Sequence, residues 1–153
     1  MIKKAAYVGL LGGIVAVAGV VTLQRGFLIG PVILGATLIP LCGLFLARRS
    51  FVGAVPDLIF GAIDTGLLTI PALWGGVMFG VAGAIAGGVI GDALTDSIAG
   101  FFEGAVAEWL RDKGIEESRE PVTTALGKMA GCLFGSGAVL SLALIFGVRL
   151  SSG

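Results

Sequence analysis

The chain has 153 residues, 56% of them hydrophobic and only 13% charged, with a mean hydropathy of +1.04; this excludes an ordinary water-soluble domain and indicates a membrane-embedded one. Ten Lys and Arg cancel ten Asp and Glu with no basic tract, so a nucleic-acid partner has no electrostatic support. There is no histidine, and Cys42 and Cys132 stand in separate apolar stretches, so zinc, haem and Ser-His-Asp chemistry lack their residues and no enzyme is expected.

Residues 1–23 begin with Lys3 and Lys4 and continue as an apolar run that reads as a retained first helix. A secretory signal is the other reading, since Ala16-Val17-Ala18 has the composition of a cleavage site. After a turn at Gln24-Arg25-Gly26, residues 27–47 form a second span that contains Pro31 and Pro40 and ends at Arg48-Arg49. A third span, 54–73, has Pro56 in its first turn, Pro71 near its end and Asp64 at its middle. Trp74-Gly75-Gly76 makes the next turn, and a fourth span follows over 75–100.

This fourth span organises the chain. Every fourth residue gives Gly80, Ala84, Gly88, Asp92, Asp96 and Gly100 on one ridge, and Gly83, Gly87, Gly91, Thr95 and Ala99 on the next. Two small-residue ridges admit a neighbouring backbone, which places Asp92 and Asp96 in a protein seam rather than against lipid. Residues 101–113 set Phe101, Ala105 and Trp109 beside Phe102, Val106 and Leu110, opposite Glu103, Glu108 and Asp112, the pattern of an interfacial amphipathic helix. A charged connection, 111–121, leads to a fifth span over 125–148 with a further glycine ridge at Gly127, Gly131 and Gly135.

The expected fold is therefore an all-α polytopic membrane protein with five transmembrane helices and one interfacial helix. Residues 1–50 form a two-helix hairpin, and residues 51–153 a three-helix core with the interfacial helix and charged loop at 101–122. With the N-terminus cytoplasmic and the C-terminus outside, Lys3, Lys4, Arg48, Arg49, Arg111, Lys113, Arg119 and Lys128 lie inside, leaving Arg25 and Arg149 outside.

Asp57 and Asp64 are seven residues apart and share one helix face, as do Asp92 and Asp96, four apart. An ionised carboxylate at a helix centre in lipid costs roughly 2.5 to 3.5 kcal/mol on insertion scales, and Lys128 is the one cation within the spans to offset it. Asp64, Asp92 and Asp96 with Thr65 and Thr95 form an all-oxygen set suited to Ca²⁺ or Na⁺, with Asp57 and Glu103 nearer the interface. Lys128 is either their counter-ion or a snorkelling side chain. The plainer reading keeps Asp92 and Asp96 as packing contacts that hydrogen-bond Thr65, Thr123 or Lys128.

Three segments in order, FGAIDTGLLTI at 60–70, AIAGGVIGDALTDSIAG at 84–100 and TTALGKMAGCLFG at 123–135, resemble the transmembrane protein 65 family. The similarity covers residues 60–144. The family's mitochondrial member is an inner-membrane protein linked to sodium-dependent calcium efflux, so the resemblance implies cation exchange with Asp64, Asp92, Asp96 and Lys128 at the matching positions. This chain departs from the family pattern in having Asp92 in place of an amide, Thr65 in place of Asn, and two additional spans before the shared region. It has no Arg-rich and Ser-rich presequence, so the plasma membrane of a bacterium or archaeon is the expected location.

The leading expectation is a cation antiporter that exchanges Ca²⁺ or a similar ion for Na⁺ or H⁺ and works as a homodimer through a glycine-rich face. The alternative is a glycine-zipper scaffold or pore-forming assembly without transport coupling.

Overall fold

The computed structural model describes residues 1–25, 28–112 and 120–148, with the side chains at 102–107 and 109–111 outside that description. Among the described residues every regular element is an α-helix: α1 (Ile2–Arg25), α2 (Ile29–Ala36), α3 (Leu38–Leu46), α4 (Phe51–Asp112) and α5 (Pro121–Ile145). Four stretches are long and apolar enough to cross a membrane, namely Ile2–Arg25, Ile29–Leu46, Phe51–Phe101 and Pro121–Ile145. Large apolar side chains such as Leu23, Phe45, Phe79 and Ile145 face outward, while Thr22, Asp57, Asp64, Thr69 and Thr123 are buried. This is the reverse of a water-soluble domain, and it is what a hydrocarbon solvent selects. The protein is membrane-embedded.

α2 and α3 separate at Thr37 because Pro40 has no N–H to offer the Ala36 carbonyl and its ring crowds that carbonyl. The chain re-forms its ladder through Thr37 N–H on Leu34 O at 3.3 Å and Leu41 N–H on Thr37 O at 3.4 Å. Pro31, in the first turn of α2, displaces no hydrogen bond.

The 62 residues of α4 would be roughly 93 Å long if straight, three times the hydrocarbon thickness. They are not straight, because Gly80 has φ 66° and ψ −150°, a conformation essentially confined to glycine. There the chain doubles back, so that Gly83 packs on Gly75, Gly87 on the Pro71 carbonyl and Gly91 on Leu68. α4 is thus a hairpin of two limbs, 51–79 and 81–112. The turn expected at Trp74-Gly75-Gly76 is corrected to Gly80: Gly75 and Gly76 are helical and belong to the limb-to-limb contact. Proline at 71 stays inside the first limb rather than closing it. The helix expected over 101–113 continues the second limb as far as Asp112, and most of its side chains, with Lys113, lie outside the described residues.

α5 is the element on which the others pack. It begins at Pro121, four residues before the sequence reading placed it, because Glu120 caps it by accepting from Thr123 N–H at 2.9 Å and proline suits the first helical position. Its glycines meet α4 backbone directly: a Cβ at Gly127 would meet Ala54, one at Gly131 the Leu58 carbonyl, and one at Gly135 the Ala62 carbonyl. On its other side Gly137 lies against Leu34 of α2, and Gly30 of α2 against Ser141. In lipid, where apolar surface gains little from burial, such backbone proximity is the available source of packing energy.

One end of the bundle is closed by a small core of Leu44, Ala54, Val122 and Leu126, flanked by Tyr7 and Leu11. The Tyr7 hydroxyl donates to the Gly43 carbonyl at 2.8 Å. Lys4 and Arg49 both reach Glu120, at 2.9 and 3.5 Å, and so draw the starts of α1, α4 and α5 together.

Candidate functional site

Asp64 lies near the middle of the first limb, 8% exposed, and its Oδ1 is buried without a hydrogen-bond partner. An unsatisfied carboxylate oxygen at that depth is costly and has to be offset by a proton, a cation or a ligand. Asp64 forms part of the wall of a crevice of about 310 Å³ between the limbs. Phe60 and Leu67, one helical turn to either side of Asp64, and the adjacent Ile63 line it from the first limb, and Thr95, Ile98 and Ala99 line it from the second. Every one of these walls other than Asp64 and Thr95 is hydrocarbon.

The register of the hairpin follows from its contacts. Gly91 lies against Leu68 and Gly87 against Pro71, which puts Thr95 opposite Asp64 and brackets that level with Asp92 and Asp96. This register sets the carboxylates of the two limbs at similar depth, with Asp92 on the Gly80 side of Asp64. They do not share a face. Thr95 faces the first limb and donates to the Asp92 carbonyl at 3.2 Å, while the Asp92 and Asp96 side chains are exposed on the flank of the second limb. The ridge of Gly83, Gly87 and Gly91 forms the limb-to-limb seam; the ridge that carries the aspartates meets the first limb only at Ala84 and Gly88, against Gly76 and Ala72, and among the described residues Asp92 and Asp96 are left exposed, contrary to the seam expected for them. Among the described residues no three acidic or cysteine side chains are grouped as metal ligands.

The remaining expected residues are dispersed. Asp57 is buried against Gly127 in the seam between α4 and α5. Thr65 contributes its carbonyl to a polar contact in the same seam: it accepts from the Thr69 hydroxyl at 2.6 Å, and Thr69 and Ser136 share a hydrogen bond at 2.9 Å. Lys128 is exposed and holds its Nζ 5.6 Å from the centre of the Phe60 ring, a cation–π contact. The side chain of Glu103 lies outside the described residues. Thr123 bonds to Glu120 through both its N–H and its hydroxyl, at 2.9 Å each, and not to Asp92 or Asp96.

Sequence reasoning missed the apolar walls of the crevice and the role of Glu120. The walls were half legible, since Phe60, Ile63, Asp64 and Leu67 follow helical spacing on one limb. Glu120-Pro121-Val122-Thr123 carries a helix-start signal of its own. Burial of the Glu120 carboxyl opposes its ionisation, but the Lys4 ammonium, the Thr123 N–H and hydroxyl, and nearby Arg49 together outweigh this and lower its pKa from 4.5 to about 2. Glu120 is therefore a clasp that stays charged at neutral and mildly acid pH, outside the membrane spans.

Compared with protein-family models, curated proteins and solved structures, the chain matches none of them.

Proposed function

We propose that the protein is an integral membrane cation transporter, an antiporter that exchanges Ca²⁺ or a similar cation for Na⁺ or H⁺, with Asp64 as the carboxylate that takes the ion. The observation that carries this reading is the buried Asp64 Oδ1, unpartnered at the wall of a crevice between two helical limbs. A carboxylate held there only for packing would have acquired a donor, and none of the crevice's other residues supplies one. Thr95 carries the other side-chain oxygen of the crevice lining, and Asp92 and Asp96 stand at neighbouring depth on the second limb.

In this reading the two limbs of α4 count as separate spans, making five crossings in a bacterial or archaeal plasma membrane, with the C-terminus outside and the Lys4, Arg49 and Glu120 cluster on the cytoplasmic side. Exposed carboxylates on a small-residue ridge favour a homodimer in which the second copy covers Asp92 and Asp96. The resemblance to the transmembrane protein 65 family supports cation exchange on independent grounds. The scaffold reading draws on the exposed part of the same ridge, Asp92 to Gly100, which a glycine-zipper partner would fit without any ion.

The test is Ca²⁺ uptake into proteoliposomes driven by an outward Na⁺ gradient, with K⁺ replacing Na⁺ as the control. The expected result is Na⁺-dependent uptake that is lost in Asp64→Asn. Folded, inserted protein that moves no Ca²⁺ under Na⁺, H⁺ or K⁺ gradients refutes the calcium assignment and leaves another ion or the scaffold as the better reading.

A further inference from the structure

We infer that the Asp64 crevice is a binding site for a small lipophilic organic cation, an apolar ammonium that arrives from the lipid rather than from water. This shares with the transport reading only the premise that Asp64 takes a cation, and it names a different class of ligand.

The lining decides the class. Five of its seven residues, Phe60, Ile63, Leu67, Ile98 and Ala99, offer only carbon, and Thr95 adds a single hydroxyl whose proton goes to the Asp92 carbonyl. An ammonium carried on a hydrocarbon body loses little water on entering and matches both the single charge and the apolar walls, a match that an inorganic ion held by the same carboxylate does not use. The mouth points the same way. Ile63 and Ile98 are each 58% exposed and Leu67 50%, so the crevice opens on the outer, lipid-facing surface of the hairpin. At interior packing density, about 310 Å³ holds roughly a dozen non-hydrogen atoms, the size of a benzyl ammonium. The Phe60 ring adds an aromatic wall suited to a cation, and Lys128 holds a positive charge 5.6 Å from that ring's centre. Lys128 sets a limit on affinity that its removal would lift.

The experiment uses the full chain in lipid nanodiscs and tritiated benzyltrimethylammonium, whose charge does not change with pH. Saturable binding at one per chain is expected, at least tenfold weaker in Asp64→Asn and in Leu67→Trp, which fills the crevice, and tighter in Lys128→Gln. Neopentylbenzene, the uncharged isostere, should fail to displace it. Helicity and elution volume matched to the parent protein keep Asp64→Asn interpretable. Several results would overturn the inference: no saturable binding to folded protein, equal binding by folded Asp64→Asn, or displacement by neopentylbenzene at equal concentration. The last of these would mean that an acyl chain or the apolar face of a second copy is the true occupant. Because this assay contains no Ca²⁺ or Na⁺ gradient, its failure leaves the transport reading intact. Binding without any Ca²⁺ flux supports the inference and removes the transport reading alone.

Discussion

Replacing Gly80 with alanine isolates the backbone geometry that folds α4 into a hairpin. At φ 66° and ψ −150° a residue with a Cβ is strained by about 1 to 3 kcal/mol. No atom lies within 4 Å of where that Cβ would sit, so no steric contact adds to the cost. Alanine also stiffens the unfolded chain, which returns about 0.4 to 1 kcal/mol, and the net loss expected is about 1 to 2 kcal/mol. Gly13→Ala is the control, since Gly13 is helical with equally open surroundings and alanine there should gain up to about 1 kcal/mol. Gly76→Ala tests the alternative turn: Gly76 is helical, its Cβ would meet the Ala84 Cβ at 3.3 Å, and helix propensity offsets that tight contact, so little change is expected. The assay is reversible unfolding in mixed micelles with increasing dodecyl sulfate, followed by far-ultraviolet circular dichroism. A loss at Gly76 with none at Gly80 would refute the hairpin geometry and restore the turn at residues 74–76.

Gly131→Ala should cost about 1 to 3 kcal/mol in the same assay, because its Cβ runs into the Leu58 carbonyl and α5 must move off α4; no loss would mean that this seam is looser than described. Asp64→Leu should leave stability equal or raised while abolishing cation binding, since it replaces an unpartnered buried oxygen with hydrocarbon, and a marked loss of stability would show that the carboxylate is structural. Glu120→Gln should lose the ionic clasp and weaken the cap of α5, a cost of about 1 kcal/mol for the cap, read as a lower unfolding midpoint at neutral pH. Because the Glu120 pKa falls from 4.5 unfolded to about 2 folded, its stabilisation is complete above pH 4.5 and fades as pH drops toward 2, where parent and variant should converge; a constant gap down to pH 2 would contradict this. Ser50→Cys in a background lacking Cys42 and Cys132 should resist an impermeant maleimide added to intact cells, and Thr22→Cys is unsuitable as its partner because Thr22 is buried, so Arg25→Cys serves as the external site. Labelling of position 50 alone would invert the topology.

The membrane class, the helical content and most helix positions were legible in the sequence, because hydrocarbon solvent admits few alternatives to runs of about 20 apolar residues closed into helices. Asp64 stood out for the same reason: an acid at the centre of such a run is expensive wherever the helix packs. The α5 start was also written locally, in Glu120-Pro121, and simply competed with the more conspicuous apolar run behind it.

Other features depended on which helix met which. Gly75, Gly76, Gly80, Gly83, Gly87 and Gly91 look alike in sequence, and any of them suits either a turn or a close contact. Only the pairing of Gly87 with Pro71 and Gly91 with Leu68 selects Gly80 as the residue that turns. The same pairing placed Thr95 opposite Asp64 and left Asp92 and Asp96 on the outer flank, although helical spacing had set the two aspartates and the threonine on adjoining ridges. A ridge of small residues states that a backbone can come close, and it does not state which one. The sequence by itself thus determined where helices form and where charge is costly, through interactions local to each helix. Which carboxylates are enclosed and what surrounds them followed from tertiary contacts, because Asp57 depends on how α5 meets α4 and Asp64 on the register of two limbs joined at a single glycine.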